Sequence, residues 1–276
     1  MRRFRFSILL AICLLLLAAA APDSAPTPLL HAHAHNDYED ARPLLDALEN
    51  GFCSIEADVH LIDGQLLVAH QREQCRADRS LASLYLDPLL ARSRANGGQI
   101  FPSWPTVVLL IDMKVPKGES PDATYAALRT LLERYRQLLT SWSGDGKQER
   151  AVTIVLTGDR PPRAVLASEP ERLCALDGGL ADLDARPSPS PELVPMISAK
   201  WEDSFTWRGD GRLPDAELAH LRELASKAES QHRKLRFWAA PDDPNAWKQL
   251  RDAGVQLINT DHLAECRQFL LGHDKR

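Results

Sequence analysis

This 276-residue chain has no Cys-x-x-Cys pair among its five cysteines. That argues against a zinc site, which is built from closely spaced thiolates or imidazoles. It also has no G-x-G-x-x-G and no P-loop, although it carries 14 glycines. The phosphate-cradling turn of a nucleotide-binding open sheet is therefore missing. Basic residues are not in excess: 33 Lys and Arg against 38 Asp and Glu give a formal net charge of −5. A mildly acidic protein has no electrostatic reason to hold nucleic acid. Past the first 21 residues no apolar run is long enough to cross a bilayer, and no internal repeat is visible.

The amino terminus is different. Arg2, Arg3 and Arg5 precede an apolar stretch at 6–17, and Ala18, Ala19, Ala20 and Ala21 follow. This is the three-part layout of a secretory signal. The apolar run, roughly 15 residues, falls short of the ~20 that span a membrane. Cleavage is expected near Ala21, which removes three arginines and takes the charge from −5 to −8. Ile12 before Cys13 is not the small residue a lipidation site requires. The expectation is an exported protein, periplasmic or secreted. Its remaining cysteines, Cys53, Cys75, Cys174 and Cys266, would meet an oxidising compartment where disulfides persist. Three pairings are open, and spacing does not choose among them.

Residues 22–276 read as one domain in which short apolar runs alternate with amphipathic stretches. Strands are expected to end near His35, His60, Asp112, Thr157, Asp177, Ser198, Ala239 and Asn259. Helical spacing of leucines marks 41–50, 122–140 and 214–232, and further helices fit 243–253 and 262–271. The segment 107–112 (VVLLID) is apolar on both faces, as a buried parallel strand should be. Eight such units in about 255 residues fit a closed (β/α)8 TIM barrel better than an open sheet. Residues 181–191, rich in Pro and Ser, read as a surface loop.

Barrel active sites lie at the carboxyl ends of the strands, so polar residues there carry the chemistry. The first strand ends HAHAHNDY, with His31, His33 and His35 on one face. The second, FCSIEADVH, places Glu56 and Asp58 on one face. A hairpin through Asp63-Gly64 then leads to His70. The third barrel strand ends in Asp112, with Lys114 two residues on. Three carboxylates suit a hard cation, Mg²⁺ or Ca²⁺, rather than zinc. Such a cation would neutralise a phosphate. Two histidines flanking it would act as general base and acid near neutral pH. Lys114 would hold a non-bridging oxygen. Singly, each feature has an ordinary explanation: E-x-D as a solvated edge, a terminal Asp as a helix cap, HAHAH as an ordered tail. Their order and periodicity together point to a site.

The segment 47–70, ALENGFCSIEADVHLIDGQLLVAH, resembles the glycerophosphodiesterase signature of E-x-D, a D-G turn and a catalytic His. LLIDMK resembles that family's third metal carboxylate and following lysine, and 237–263 resembles its last two units. The chain is thus similar to the glycerophosphodiester phosphodiesterase and phosphatidylinositol phospholipase C superfamily. It is nearest the HxHNDY subgroup similar to altered inheritance of mitochondria protein six. The resemblance implies a phosphodiesterase barrel with Glu56, Asp58 and Asp112 on one divalent cation and His70 in acid/base work. His33 or His35 would be the partner, with His33 favoured, and Asn36, Lys114 and Trp238 would contact substrate.

Two positions depart from the commoner pattern: H-N-D replaces H-R-G after the first strand, and Asp112 replaces Glu. Both changes are shared with the spider-toxin phospholipase D branch, so hydrolysis and cyclisation both stay open. The expected substrate is a small phosphodiester or phospholipid headgroup, which is compatible with peripheral membrane contact, and the expected state is a monomer. Two other readings remain. An amidohydrolase or polymerase-histidinol-phosphatase barrel also opens with H-x-H, but it needs further histidines at later strand ends. A non-catalytic barrel would bind a lipid headgroup without turnover.

Overall fold

The computed structural model describes residues 25–102 and 105–273. The expected signal segment, 1–21, lies outside them. Eight parallel strands form the barrel: β1 (Ala32–Ala34), β2 (Ser54–Ile62), β3 (Val107–Met113), β4 (Val152–Gly158), β5 (Cys174–Gly178), β6 (Met196–Lys200), β7 (Lys234–Trp238) and β8 (Ile258–Thr260). A helix follows each: α1 (Leu45–Glu49), α2 (Asp87–Ala95), α3 (Asp122–Glu133), α4 (Arg163–Ala167), α5 (Ala181–Asp184), α6 (Asp215–Ser230), α7 (Pro244–Asp252) and α8 (Leu263–His273). Pairing runs in sequence from β1 to β7, with β8 against β1. A parallel bridge between Arg236 and Leu257 joins β7 to β8 and all but closes the ring. No helix among the described residues is long and apolar enough to cross a membrane.

The main core lies between the strands and the helices. A second cluster fills the lower barrel, where inward residues Leu110, Val155, Ala175, Met196 and Leu257 meet Trp142. Trp142 comes from a small three-stranded sheet (Ser141–Ser143, Gly146–Gln148, Glu171–Arg172) outside the barrel path. Its indole lies 4.0 Å from the Arg172 guanidinium.

Two expected helices and one expected loop differ from their expected extents. The first is shortened from 41–50 to α1 because Leu44 sits at φ 65° with its N–H drawn to Asp37 Oδ2, 2.6 Å away. The stretch 122–140 is helical only to Glu133. Beyond it the amides of Arg134, Tyr135, Leu138 and Leu139 bond three residues back, a tightened ending that still buries Tyr135 and Leu138. In 181–191 the first four residues form α5. Helix α2, preceded by a π turn at Ala82–Leu86, was not expected. Pro88 reads as a breaker there, but it directly follows the π turn, which runs into α2 without a break. Among the described residues all four cysteines are free, and only Cys75 is partly exposed. The expected disulfides do not form in this structure.

Candidate active site

The site is assembled by strand register. Asp58 on β2 pairs directly with Asp112 on β3, and Glu56 lies two residues below Asp58 on the same face. One oxygen from each of these carboxylates lies within 4.8 Å of the others. The β2 strand continues past the barrel rim into a hairpin with Gln65–Val68. Asp63 and Gly64 turn it at φ 49° and 77°, both left-handed, as a two-residue turn between twisted strands demands. The return strand brings His70 back so that its Nδ1 lies 3.3 Å from Asp58 Oδ2.

Two cations of the chain face the carboxylates. Lys114 Nζ donates to Asp112 Oδ2 at 2.6 Å and lies 3.1 Å from Asp58 Oδ2. Arg236 NH1 donates to Glu56 Oε2 at 2.7 Å. Burial raises the pKa of Asp58 to about 6, with repulsion from Asp112 adding to it and Lys114 opposing it. Burial raises that of Asp112 as well. Glu56 is different: burial opposes its charge, but Arg236 and the His33 hydrogen bond outweigh that and hold it ionised well below the usual range. Asp58 Oδ1 and Asp112 Oδ1 are buried without a hydrogen-bond partner. Carboxylates converging from three residues, two of them with an unpaired buried oxygen, are a donor set that fits a hard divalent cation. Gly158 protects this arrangement: a Cβ there would come within 1.9 Å of Asp112 Oδ1.

The two strand-one histidines part company. His33 is fully buried beneath the site, with Nδ1 2.7 Å from Ser54 Oγ and Nε2 2.7 Å from Arg236 NH1. Burial, and then Arg236, lower its pKa to about 4, so it stays neutral. It does not line the cleft, whereas His35 does. The expected preference for His33 as the acid/base partner is therefore corrected: its imidazole braces Glu56 at 3.0 Å from below. His35 Nδ1 donates to Asp261 Oδ1 at 2.8 Å. Burial works against its charge, but Asp261 and Glu56 outweigh that and raise its pKa. His31 bonds the Gln256 carbonyl through Nδ1 at 3.0 Å and does not reach the cleft.

The cleft, about 530 Å³, is lined by His35, Asn36, Glu56, Asp58, His70, Asp112, Lys114 and Trp238, so eight of the nine expected residues meet there. Trp238, 39% exposed, stands at the mouth with Lys200 Nζ 5.8 Å from its ring.

A family model for the AIM6-like phosphodiesterase domain matches residues 24–177, more than half of the chain. The chain belongs to this family. A second model, the glycerophosphoryl diester phosphodiesterase family, matches residues 234–264. Altered inheritance of mitochondria protein 6 of Lachancea thermotolerans is 32% identical, over 84% of this chain and 64% of that protein. The homolog from Arthroderma benhamiae is 28% identical, over 86% of this chain and 82% of its own length. Among solved structures, a glycerophosphodiester phosphodiesterase from Parabacteroides distasonis superposes with a TM-score of 0.53 at 14% identity, over 91% of this chain and 98% of that one. A putative glycerophosphoryl diester phosphodiesterase from Agrobacterium tumefaciens gives 0.52 at 14%, over 91% and 100%. At that identity the likeness concerns the fold, which is a TIM barrel in all three.

In this AIM6-like domain several site residues went unread in the sequence. Arg236 shares the inward face of β7 with Trp238, two residues on, and that periodicity was the available signal. Asp261 is the last residue of the closing T-D. Arg160, Asp177 and Ser198 line the cleft from β4, β5 and β6. Asp177 and Ser198 ended expected strands, but no motif marked them. Tyr38 was legible only as part of HNDY.

Proposed function

We propose that this AIM6-like domain is a divalent-cation-dependent phosphodiesterase acting on glycerophosphodiesters or phospholipid headgroups. The observation that carries this is the meeting of three carboxylates, Lys114 and two cleft-lining histidines at one barrel mouth. Glu56, Asp58 and Asp112 would hold the cation, which when bound draws negative charge from the phosphate. Lys114 then turns its ammonium to a non-bridging oxygen. His35, whose protonated form Asp261 favours, gives its proton to the leaving alkoxide. His70 takes the proton from the attacking hydroxyl, either of water or of the substrate itself. One proton enters and one leaves, so each histidine ends in the other's starting state. Among the described residues two histidines line the cleft, and β5 to β7 supply Asp177, Ser198, Arg236 and Trp238 rather than further imidazoles. This favours the phosphodiesterase reading over a multi-histidine amidohydrolase.

The test is product analysis on a panel of phosphodiesters, with chelator and then with Mg²⁺ or Ca²⁺ restored. A phosphomonoester and free alcohol identify hydrolysis, and a cyclic phosphate identifies cyclisation. Cation-independent turnover, or none on any phosphodiester, would overturn the proposal. We also propose export with cleavage near Ala21. Terminal sequencing of the mature protein checks it, and a mature form that keeps residues 1–17 would refute it.

A further inference from the structure

The HNDY turn carries more than Asn36. Tyr38 is buried, 3% exposed, under the rim of the cleft. Its hydroxyl donates to Asn36 Oδ1 at 2.7 Å and lies 3.0 Å from His70 Nδ1. Its ring lies nearly parallel to that imidazole, 13° between planes with centroids 6.5 Å apart. Asn36 Nδ2 in turn is 3.1 Å from His35 Nδ1. One tyrosine and one amide therefore span the distance between the two cleft histidines.

The turn that holds Tyr38 is fixed from several sides. Asn36 takes the left-handed conformation, φ 48°, and starts a 3-10 turn over Asp37–Glu39. The buried Asp37 carboxylate accepts from the Leu44 amide at 2.6 Å and from the Tyr85 hydroxyl at 2.8 Å. Arg79 NH2 donates to the Tyr38 carbonyl. Burial first, and then the carboxylate of Asp58, raise the Tyr38 pKa far above its usual value, so it remains a neutral phenol.

We propose that Tyr38 is a positioning residue whose hydroxyl, seated between Asn36 Oδ1 and His70 Nδ1, keeps the His70 proton on Nδ1 and leaves Nε2 bare as the base. The proposal rests on the reading of His70 as the general base. The argument is a count of protons. A phenol has one hydrogen to give. The amide oxygen of Asn36 accepts only, and at 2.7 Å it takes that hydrogen. His70 Nδ1 must then be the donor toward the phenol oxygen. Asp58 Oδ2, 3.3 Å from the same nitrogen, also attracts a proton there, though without hydrogen-bond alignment. Neutral imidazole carries one N–H, so Nε2 keeps its lone pair. Nε2 has no hydrogen-bond partner among the described residues. When Nε2 takes a proton from the attacking hydroxyl, the Nδ1–H to phenol bond persists and nothing needs to turn.

The experiment is nitrogen NMR on the full chain labelled at histidine, with the His70 signals assigned by their loss in His70→Gln. The wild type should show His70 as the Nδ1–H form. Tyr38→Phe keeps the ring and should populate the Nε2–H form, with kcat down about tenfold, the value of one hydrogen bond, and KM nearly unchanged. Asn36→Ala, which removes the acceptor of the phenol proton, should shift the same signals and serves if Tyr38→Phe folds poorly. Tyr85→Phe, a comparable hydroxyl loss on the other side of the turn, should leave both the His70 form and kcat alone. A wild-type proton on Nε2 overturns the proposal. So does a Tyr38→Phe protein in which either the tautomer or kcat stays as in wild type, or an equal kcat loss in Tyr85→Phe. If the wild type turns over no phosphodiester, the functional reading fails, and the tautomer signals alone decide the role of Tyr38.

Discussion

Along β3, Leu110 and Asp112 point the same way into the barrel, two residues apart. Below, at the level of Leu110, lie Val155, Ala175, Met196 and the Trp142 plug. Above, at the level of Asp112, lie Asp58, Lys114 and the cleft, with the Glu56–Arg236 ion pair and the neutral His33 beneath them. The same alternation serves both ends, hydrocarbon for stability below and charge for chemistry above. The upper layer is costly, because buried charges are retained only when paired. Lys114 faces the Oδ2 atoms of Asp112 and Asp58 and Arg236 faces Glu56 Oε2, while Oδ1 of Asp58 and of Asp112 remain for a ligand.

The largest effect should come from the upper layer alone. Glu56→Gln with Asp58→Asn is expected to lower kcat by ~10³ or more, since a cation supplies several kcal/mol of charge stabilisation. Calorimetric Mg²⁺ binding should vanish with it, while the melting curve stays cooperative. His70→Ala and His35→Ala should each cost ~10² to 10⁴ in kcat and leave cation binding in place. A nitrophenolate leaving group needs no protonation, so it should rescue His35→Ala and not His70→Ala. Rescue of His70→Ala instead would exchange the two roles.

The comparison sharpens with one substitution in each layer. Arg236→Met leaves the buried Glu56 charge without its cation, with only the neutral His33 still bonded to it, at a cost of about 3 to 5 kcal/mol in denaturant unfolding. Trp142→Ala empties the plug and should cost a similar ~3 to 5 kcal/mol. The two differ in function. The arginine variant should also lose turnover, because Glu56 is no longer held. The tryptophan variant should keep the wild-type kcat per folded molecule. If Trp142→Ala lost kcat as well, the layers would not be independent.

What the sequence disclosed follows the same division. The sequence pattern placed all eight strand ends within two residues of their observed positions. It put Glu56 and Asp58 on one face because that face is dictated by the pleat alone. It could not separate His33 from His35, which share the face. Depth along the barrel separates them, and depth depends on how far β1 is staggered against β2 and β8. Arg236 was hidden for a related reason, since its partner Glu56 is 180 residues away in sequence. The disulfide expectation drew on compartment rather than geometry, and three of the four thiols are buried.

A smaller effect concerns Asp37, which belongs to neither layer but holds the turn above them. Burial raises its pKa to about 7. The folded state then keeps a proton that the unfolded state has released above its ordinary carboxylate pKa. Stability from this group is full below that value and is lost as pH rises through about 7, by at most ~1.4 kcal/mol per pH unit. Asp37→Asn can still offer one oxygen to the Leu44 amide and the Tyr85 hydroxyl. Unfolding measured between pH 4 and 8 should therefore show a shallower fall for the variant, and an identical slope would remove Asp37 as its source.

The smallest effect lies outside the barrel, in the hairpin that delivers His70. Gly64 turns at φ 77° with open space where a Cβ would stand, so Gly64→Ala meets no clash and only the left-handed strain, roughly 1 to 2 kcal/mol. The strain falls on the hairpin, not on either layer of the barrel. Global unfolding should change little, because the hairpin can fray without opening the core. Amide exchange at Leu66 and Leu67, whose residues pair with Leu61 and His60, should quicken by about tenfold. Turnover should fall by a smaller factor, since His70 is away from Asp58 only in the frayed fraction. Cation binding should not move, because Glu56, Asp58 and Asp112 lie on the barrel side of the turn. Loss of cation binding in Gly64→Ala would mean that the hairpin and the carboxylate layer move as one unit, and the division between scaffold and site would then run through β2 itself.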